Sequence, residues 1–314
     1  MIKPESFSTP VLFLVFSRPD TTRRVFEAIR QVKPSRLYIA ADGPRDNKLG
    51  EDLKVQEVRK YVMSNIDWEC EIKTLFREKN LGCKLAVSSA IDWFFENEEE
   101  GIILEDDCLP DVSFFPFCSE LLERYRHDER VMMVSGVNFL GGQRLTPYSY
   151  FFSKYNYIWG WASWRRAWKH YDVNMRLWPE FREKAFLLGI LDKKEYIHWS
   201  KYFDDILSGK VDTWDAQWTF SLWTQNGLSV MPAVNLICNI GFGAQALHTT
   251  KQILPDRLLK SEPMSFPLKH PVYILCDKKA DALMRKVFQG TLLDQIKHIV
   301  PLKARLFIKK TFFR

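Results

Sequence analysis

Three consecutive carboxylates, Glu105-Asp106-Asp107, follow the apolar run Gly101-Ile-Ile-Leu104 and precede Cys108-Leu-Pro-Asp111. Adjacent anions repel one another, and a proton or a bound cation relieves the repulsion. At the mouth of a buried strand such a cluster suits Mg²⁺ or Mn²⁺. These hard ions take one or two carboxylates and complete their sphere with water and phosphate oxygens, which a nucleotide diphosphate would supply. The plainer alternative is a solvated acidic turn; the position directly behind Ile-Ile-Leu favours a site. Farther along, Asp215 opens Thr213-Trp-Asp-Ala-Gln-Trp218. A carboxylate at a helix start is favoured and kept ionised by the helix dipole, so on position alone Asp215 reads as an N-terminal helix cap.

The elements that would carry these residues alternate in type. Val11 to Phe16 is a short β-rich apolar run that fits a strand buried on both faces, and it stops at Ser17-Arg18-Pro19-Asp20. Asp20 can cap a helix over 21–32, where Val25, Ile29 and Val32 recur at helical spacing before Pro34. Arg36 to Ala41 predicts a second strand, ended by Asp42-Gly43-Pro44, and a charged helix follows over 51–63. Glu71 to Phe76 predicts a third strand, ending in Arg77-Glu-Lys-Asn-Leu-Gly82, with a helix from Lys84 to Phe95 before the fourth strand at Gly101–Leu104. Such alternation predicts βαβ units in an open, mostly parallel, right-handed α/β sheet flanked by helices. Ligands bind such sheets at the carboxyl ends of the strands, where Ser17-Arg18, Asp42-Gly43, Arg77 to Asn80 and Glu105 to Asp107 all fall. Loops collect polar residues in any protein, so each cluster is weighed on its own chemistry.

Composition excludes several classes. The 314 residues are 46% hydrophobic and 27% charged, the balance of a globular chain with a sizeable core. No apolar run approaches the ~20 residues of a membrane span, and the first residues do not read as a secretory signal. The six cysteines lack CxxC or any regular spacing, which suggests reduced thiols and a cytoplasmic chain rather than a zinc knuckle or a disulfide framework. The net charge of +6 equals the six cations found from residue 295 onward, where no acid stands. The body is thus formally neutral, which argues against nucleic acid as a partner. There is neither GxxxxGK[ST] nor GxGxxG after a strand, and Gly241-Phe-Gly243 is too short to serve. Between Tyr148 and Trp168 aromatic residues crowd around Trp159-Gly-Trp161 and could face a sugar or fill a core.

Taken in order, Phe16-Ser-Arg-Pro19, Ala41-Asp-Gly43, Asn80-Leu-Gly82 and Ile103-Leu-Glu-Asp-Asp107 resemble the nucleotide-binding half of a GT-A-fold glycosyltransferase. The pattern is similar to N-acetylglucosaminyltransferase I and related bacterial nucleotide-diphospho-sugar transferases of surface polysaccharide synthesis, and it runs from about residue 10 to 248. The resemblance implies a Rossmann-like GT-A domain over 1–250, with a nucleotide-binding half at 8–110 and an acceptor half at 111–250. It also implies a nucleotide-diphosphate sugar as donor and a divalent cation at the DXD-like triplet. Asp107 would be the metal ligand and Asp106 or Glu105 the ribose partner. Asp42 would face the base, Ser17 and Arg18 would reach the nucleotide, and Lys84 the diphosphate. The family's Gly-Trp element, its general base and its closing loop match Trp159–Trp161, Asp215 and Asn239-Ile-Gly-Phe-Gly243 with His248. That histidine would be a second metal or diphosphate ligand, although a lone histidine is more often an ordinary loop residue. The reaction implied is inverting transfer to an acceptor hydroxyl of a glycan or lipid-linked glycan. The alternative is a catalytically silent GT-A domain that binds a nucleotide sugar or glycan. A nucleotidyltransferase fits less well, since its glycine-rich N-terminal signature is absent.

Residues 251–314 read as a C-terminal extension. Leu292, Ile296 and Ile299, then Leu306, Phe307 and Phe312-Phe313, accompany Lys297, Lys303, Arg305, Lys309, Lys310 and Arg314. This pattern predicts a basic amphipathic helical tail, able to lie on the anionic inner face of a plasma membrane or to pack on the body.

Overall fold

The computed structural model describes residues 7–241 and 260–286. Its first half is four parallel strands and three helices: β1 (Val11–Val15), α1 (Pro19–Val32), β2 (Arg36–Ala41), α2 (Glu51–Ser64), β3 (Glu71–Phe76), α3 (Gly82–Asn97) and β4 (Glu100–Glu105). All five residues of β1 are buried because helices cover both faces of the sheet, which is why this strand reads as an unbroken apolar run. Helix α1 begins with Pro19, whose missing N–H costs nothing in a first turn, and presents Val25, Phe26 and Ile29 to the core. Asp20 lies inside that first turn; the capping position is Arg18 and makes no side-chain cap.

The second half re-enters the same sheet. It comprises β5 (Cys108–Pro110), α4 (Phe114–Tyr125), β6 (Val131–Ser135), β7 (Tyr150–Ser153), β8 (Trp161–Trp164), α5 (Arg165–Trp168), α6 (Trp178–Glu183), α7 (Lys193–Leu207), α8 (Asp215–Thr224), β9 (Leu228–Pro232) and β10 (Ile237–Asn239). Eight strands join in the order β3-β2-β1-β4-β8-β6-β9-β7. Four of the seven pairings are parallel and three antiparallel, with β8 wedged antiparallel between β4 and β6. The fold is an α/β, Rossmann-like, mostly parallel sheet flanked by helices.

Two glycines permit the central crossing. Gly160 has φ 61°, and its carbonyl accepts the Gly136 N–H at 2.8 Å. A Cβ on Gly136 would meet that same oxygen at 2.8 Å. The turn drives Trp161 into the core, fully buried and stacked on Trp214 at 5.9 Å, and Trp164 and Trp168 are buried beside it. These three tryptophans are packing, whereas Trp159 is only half-buried.

Residues 260–286 belong to the same core. Cys276 bridges to Phe152 on β7, and Met264, Leu268, Ala280 and Met284 join the large cluster that holds β1 and β4. His248, the rest of the closing loop and the tail over 287–314 lie outside the described residues. No helix among the described residues is long and apolar enough to cross a membrane, and none of the six cysteines is paired.

Candidate functional site

The four parallel strands end on one side of the sheet, and their following loops enclose a cavity of about 460 Å³. β1 contributes Phe16 and Arg18, β2 contributes Asp42, β3 leads to Arg77 and Asn80, and β4 ends in Glu105, Asp106 and Asp107. The acidic triplet divides its work. Asp106 is 2% exposed and turns inward: Arg18 donates to one oxygen, and the Phe16 N–H (3.2 Å) and Thr22 hydroxyl (3.4 Å) donate to the other. Asp107 accepts from the second Arg18 nitrogen at 2.7 Å. Burial alone would lower the Arg18 pKa, but the two carboxylates raise it above its ordinary value. Burial raises Asp106, partly offset by Arg18. Glu105 has a buried Oε1 with no hydrogen-bond partner; burial, then the charge of Asp107, push its carboxyl up to about 8.

Asp42 holds a loop. Its carboxylate accepts the N–H groups of Gly43 (3.0 Å), Leu81 (3.0 Å) and Gly82 (3.2 Å), so it ties the end of β2 to the start of α3. Burial raises its pKa, against those bonds. Asn80 returns a bond to the Gly43 carbonyl at 2.7 Å, and a Cβ on Gly43 would strike the Glu78 carbonyl at 2.5 Å. The Asp42-Gly43 and Asn80-Leu-Gly82 segments, separate in sequence, are thus one interlocked wall of the cavity.

From the second half, β10 pairs antiparallel with β5, and the Ile240 N–H donates to the Asp107 carbonyl at 2.8 Å. This ribbon delivers Asn239 and Gly241 to the rim of the cavity.

A second cavity, about 390 Å³, adjoins the first; Ile158 and Trp159 line both. Helix α8 supplies Asp215 and, one turn later, Thr219, while α7 supplies Glu195, His198 and Trp199 from one face. Asp215 is the first residue of α8, and the capping position is Trp214 without a side-chain cap. Its carboxylate instead accepts the Thr213 hydroxyl, so the capping role is not the one it performs. The charge of Asp215 contributes to the raised pKa of Glu105 and of Cys83 in the first cavity, which puts it within electrostatic range of the acidic cluster.

Arg18, Asp42, Glu105, Asp106 and Asp107 are thus gathered in one cavity and Asp215 in its neighbour. Ser17 is 9% exposed and is not among the lining residues, and neither is Lys84, although Cys83 and Ala86 on either side are. Arg45, Cys83 and Asp212 line the first cavity without having been anticipated, whereas Asn239 belongs to the expected closing loop. Helix α7 was missed as well; its signature was Asp192-x-x-Glu195, which forms a capping box.

Among the described residues no three His, Cys, Asp or Glu side chains converge as a ready cation cage. A cation held by one or two carboxylates and by its ligand's phosphates needs no such cage. Asp107 on the rim and the unpartnered Glu105 oxygen beside it fit that demand, with Arg18 balancing the acids from the other side.

No family model matches the chain, and no curated protein matches it. Similar solved structures include HddC from Yersinia pseudotuberculosis, with TM-score 0.29 and 9% identity over 41% of this chain and 58% of that one. A UDP-glucose pyrophosphorylase complexed with UDP-glucose gives 0.28 and 10% over 48% and 64%. A cytidylyltransferase from Leptospira borgpetersenii serovar Hardjo-bovis gives 0.32 and 12% over 60% and 73%. The chain spans less than two thirds of the length of the first two. These are distant, partial likenesses.

Proposed function

We propose that the protein is a nucleotide-diphosphate-sugar-dependent glycosyltransferase of GT-A type that inverts the anomeric centre. The observation that carries this reading is the pair of adjoining cavities, one lined by an acid cluster at strand ends and the other by Asp215 among aromatic rings. In the first, Asp107 would hold Mg²⁺ or Mn²⁺, which when bound would neutralise the departing diphosphate. Glu105, with its unpartnered oxygen, would accept a ribose hydroxyl or share the cation, while Asp42 would keep the wall under the base in shape. Asp106 and Arg18 are read as the supports of Asp107. Asp215 would take the proton of the acceptor hydroxyl as its oxygen attacks the anomeric carbon and the bond to the diphosphate breaks. His248 is proposed as a further ligand to the cation or diphosphate. The basic, apolar sequence after residue 290 would hold the protein against an anionic cytoplasmic membrane face bearing a lipid-linked acceptor.

The test is a panel of UDP-, GDP- and dTDP-sugars with Mn²⁺, read for slow hydrolysis to nucleoside diphosphate and free sugar. Asp215→Asn should lower transfer roughly 10²–10⁴-fold with donor affinity retained. Formation of nucleoside triphosphate from pyrophosphate and the sugar nucleotide would instead assign nucleotidyl transfer and overturn the reading.

A further inference from the structure

Among the described residues that line the second cavity, Asn156 carries a buried polar atom, Nδ2, with no hydrogen-bond partner. It lies in the 155–159 segment between β7 and β8. Its Oδ1 accepts the Thr219 hydroxyl at 2.6 Å. Thr219 in turn sits one turn along α8 from Asp215, to whose carbonyl its hydroxyl lies at 3.2 Å. The amide is therefore pinned to the helix that carries the proposed base. Whichever way the amide is turned, one end is held by Thr219 and the other is left over, and a buried polar atom without a partner is costly.

Apart from Asp215, whose carboxylate accepts only the Thr213 hydroxyl, the charged groups of this cavity are already matched. Glu195 accepts from Lys154 (3.0 Å) and from the Tyr155 hydroxyl, and Arg285 pairs with Asp192 (2.5 Å) and Glu195 (3.3 Å). Burial, then Lys201, lowers the His198 pKa, which favours the neutral ring. Tyr155, Tyr157, Trp159 and Trp199 supply flat apolar walls. A ligand suited to these surroundings has an apolar face, carries no net charge and offers hydroxyls that can donate or accept. A pyranose has these properties, and an anionic sugar would find no unmatched cation.

We propose that this cavity binds one uncharged pyranose unit of the acceptor, and that Asn156 fixes it by hydrogen-bonding a ring hydroxyl beside Asp215. The assignment of the sugar as acceptor rests on the glycosyltransferase reading, whereas sugar binding itself does not. Saturation-transfer NMR on the full chain therefore tests it without any donor. The probes are the methyl pyranosides of glucose, galactose, mannose and N-acetylglucosamine, with methyl glucuronide and methyl sialoside as anionic counterparts. At least one neutral glycoside should bind the wild type. Its affinity should fall about tenfold in Asn156→Ala and less in Asn156→Ser, which keeps a hydroxyl. Circular dichroism establishes that each variant is folded, and the serine variant carries the test if the alanine variant is not. Absence of neutral-glycoside binding, equal binding of the anionic glycosides, or unchanged affinity in both folded variants would overturn the proposal. Sugar binding without recognition of any nucleotide sugar would leave this site standing and remove the glycosyltransferase reading.

Discussion

Gly241 rests directly on Asp107: a Cβ there would stand 2.8 Å from Arg18 Nη1 and nearer still to the Asp107 carboxylate. The contact joins the two halves of the sequence, because Gly241 arrives on the β5–β10 ribbon and Asp107 at the end of β4. A side chain of any size at position 241 would displace the Arg18–Asp107 pair, so the glycine reflects close approach rather than a turn.

Arg18 is the counterion of an almost fully buried acid. Replacing it by methionine leaves Asp106, 2% exposed, without its cation. Breaking a buried ion pair from one side costs about 3 kcal/mol. Urea denaturation of Arg18→Met should show a loss of this size, and a loss below about 1 kcal/mol would mean that the pair is not structurally important.

Cys83 lines the first cavity but should be chemically inert. Burial foremost, then Glu105, Asp212, Asp215 and Asp42, push its thiol up to about 12. Since only the thiolate reacts, iodoacetamide at pH 8 should label Cys83 roughly 10³-fold more slowly in the native than in the unfolded chain. Labelling should accelerate as pH rises. Peptide mass spectrometry reads the rate, and a native rate equal to the unfolded one would show that these carboxylates do not surround the thiol.

Helix α7 depends on its first residue. Burial would raise the Asp192 carboxyl, but N–H bonds from Glu195 and Lys194 and the charge of Arg285 hold it below the usual carboxylate range. A depressed pKa contributes stability above the unfolded value near 3.9 and loses it as pH falls through the folded value. Asp192→Ala should therefore cost about 1 kcal/mol at pH 7, the difference shrinking below pH ~4. Thermal melts at both pH values check this, and an undiminished difference in acid would contradict it.

How far the sequence disclosed this arrangement depends on how local each signal is. Strands 36–41 and 71–76 match the structure residue for residue: the first is a buried apolar run closed by Asp42-Gly43-Pro44, and the second is a more exposed strand at the sheet edge, closed by the turn residues from Arg77 to Gly82. The insertion of β8 between β4 and β6 was not legible: four-residue strands such as Trp161–Trp164 carry too little pattern, and their tryptophans read equally as cleft or core. At the site, the acidic run behind Ile-Ile-Leu placed Asp107 at a strand end and the pattern from Thr213 placed Asp215 at a helix start, and each lines a cavity. The inward turn of Asp106 and the engagement of Asp42 with the Leu81 and Gly82 N–H groups arise from contacts about 40 or more positions away, which no spacing announces.

The tail over 290–314, which lies outside the described residues, carries six cations and one acid. Each cation near an anionic leaflet contributes about 1 kcal/mol. The full chain should co-sediment with vesicles containing phosphatidylglycerol and lose this on truncation after Gln289. Equal recovery in the supernatant with and without the tail would exclude the membrane role.

The central claim is that Asp107, presented at the end of β4, links a cation to a nucleotide-diphosphate sugar. Calorimetric titration of the sugar nucleotides in the panel into the wild type and Asp107→Ala, with Mn²⁺ and with chelator, measures this link directly. The account predicts Mn²⁺-dependent binding of at least one sugar nucleotide to the wild type, and its loss in Asp107→Ala while circular dichroism reports an unchanged fold. Binding that is equal in the two proteins, or indifferent to Mn²⁺, or absent for every sugar nucleotide in the wild type, would contradict it.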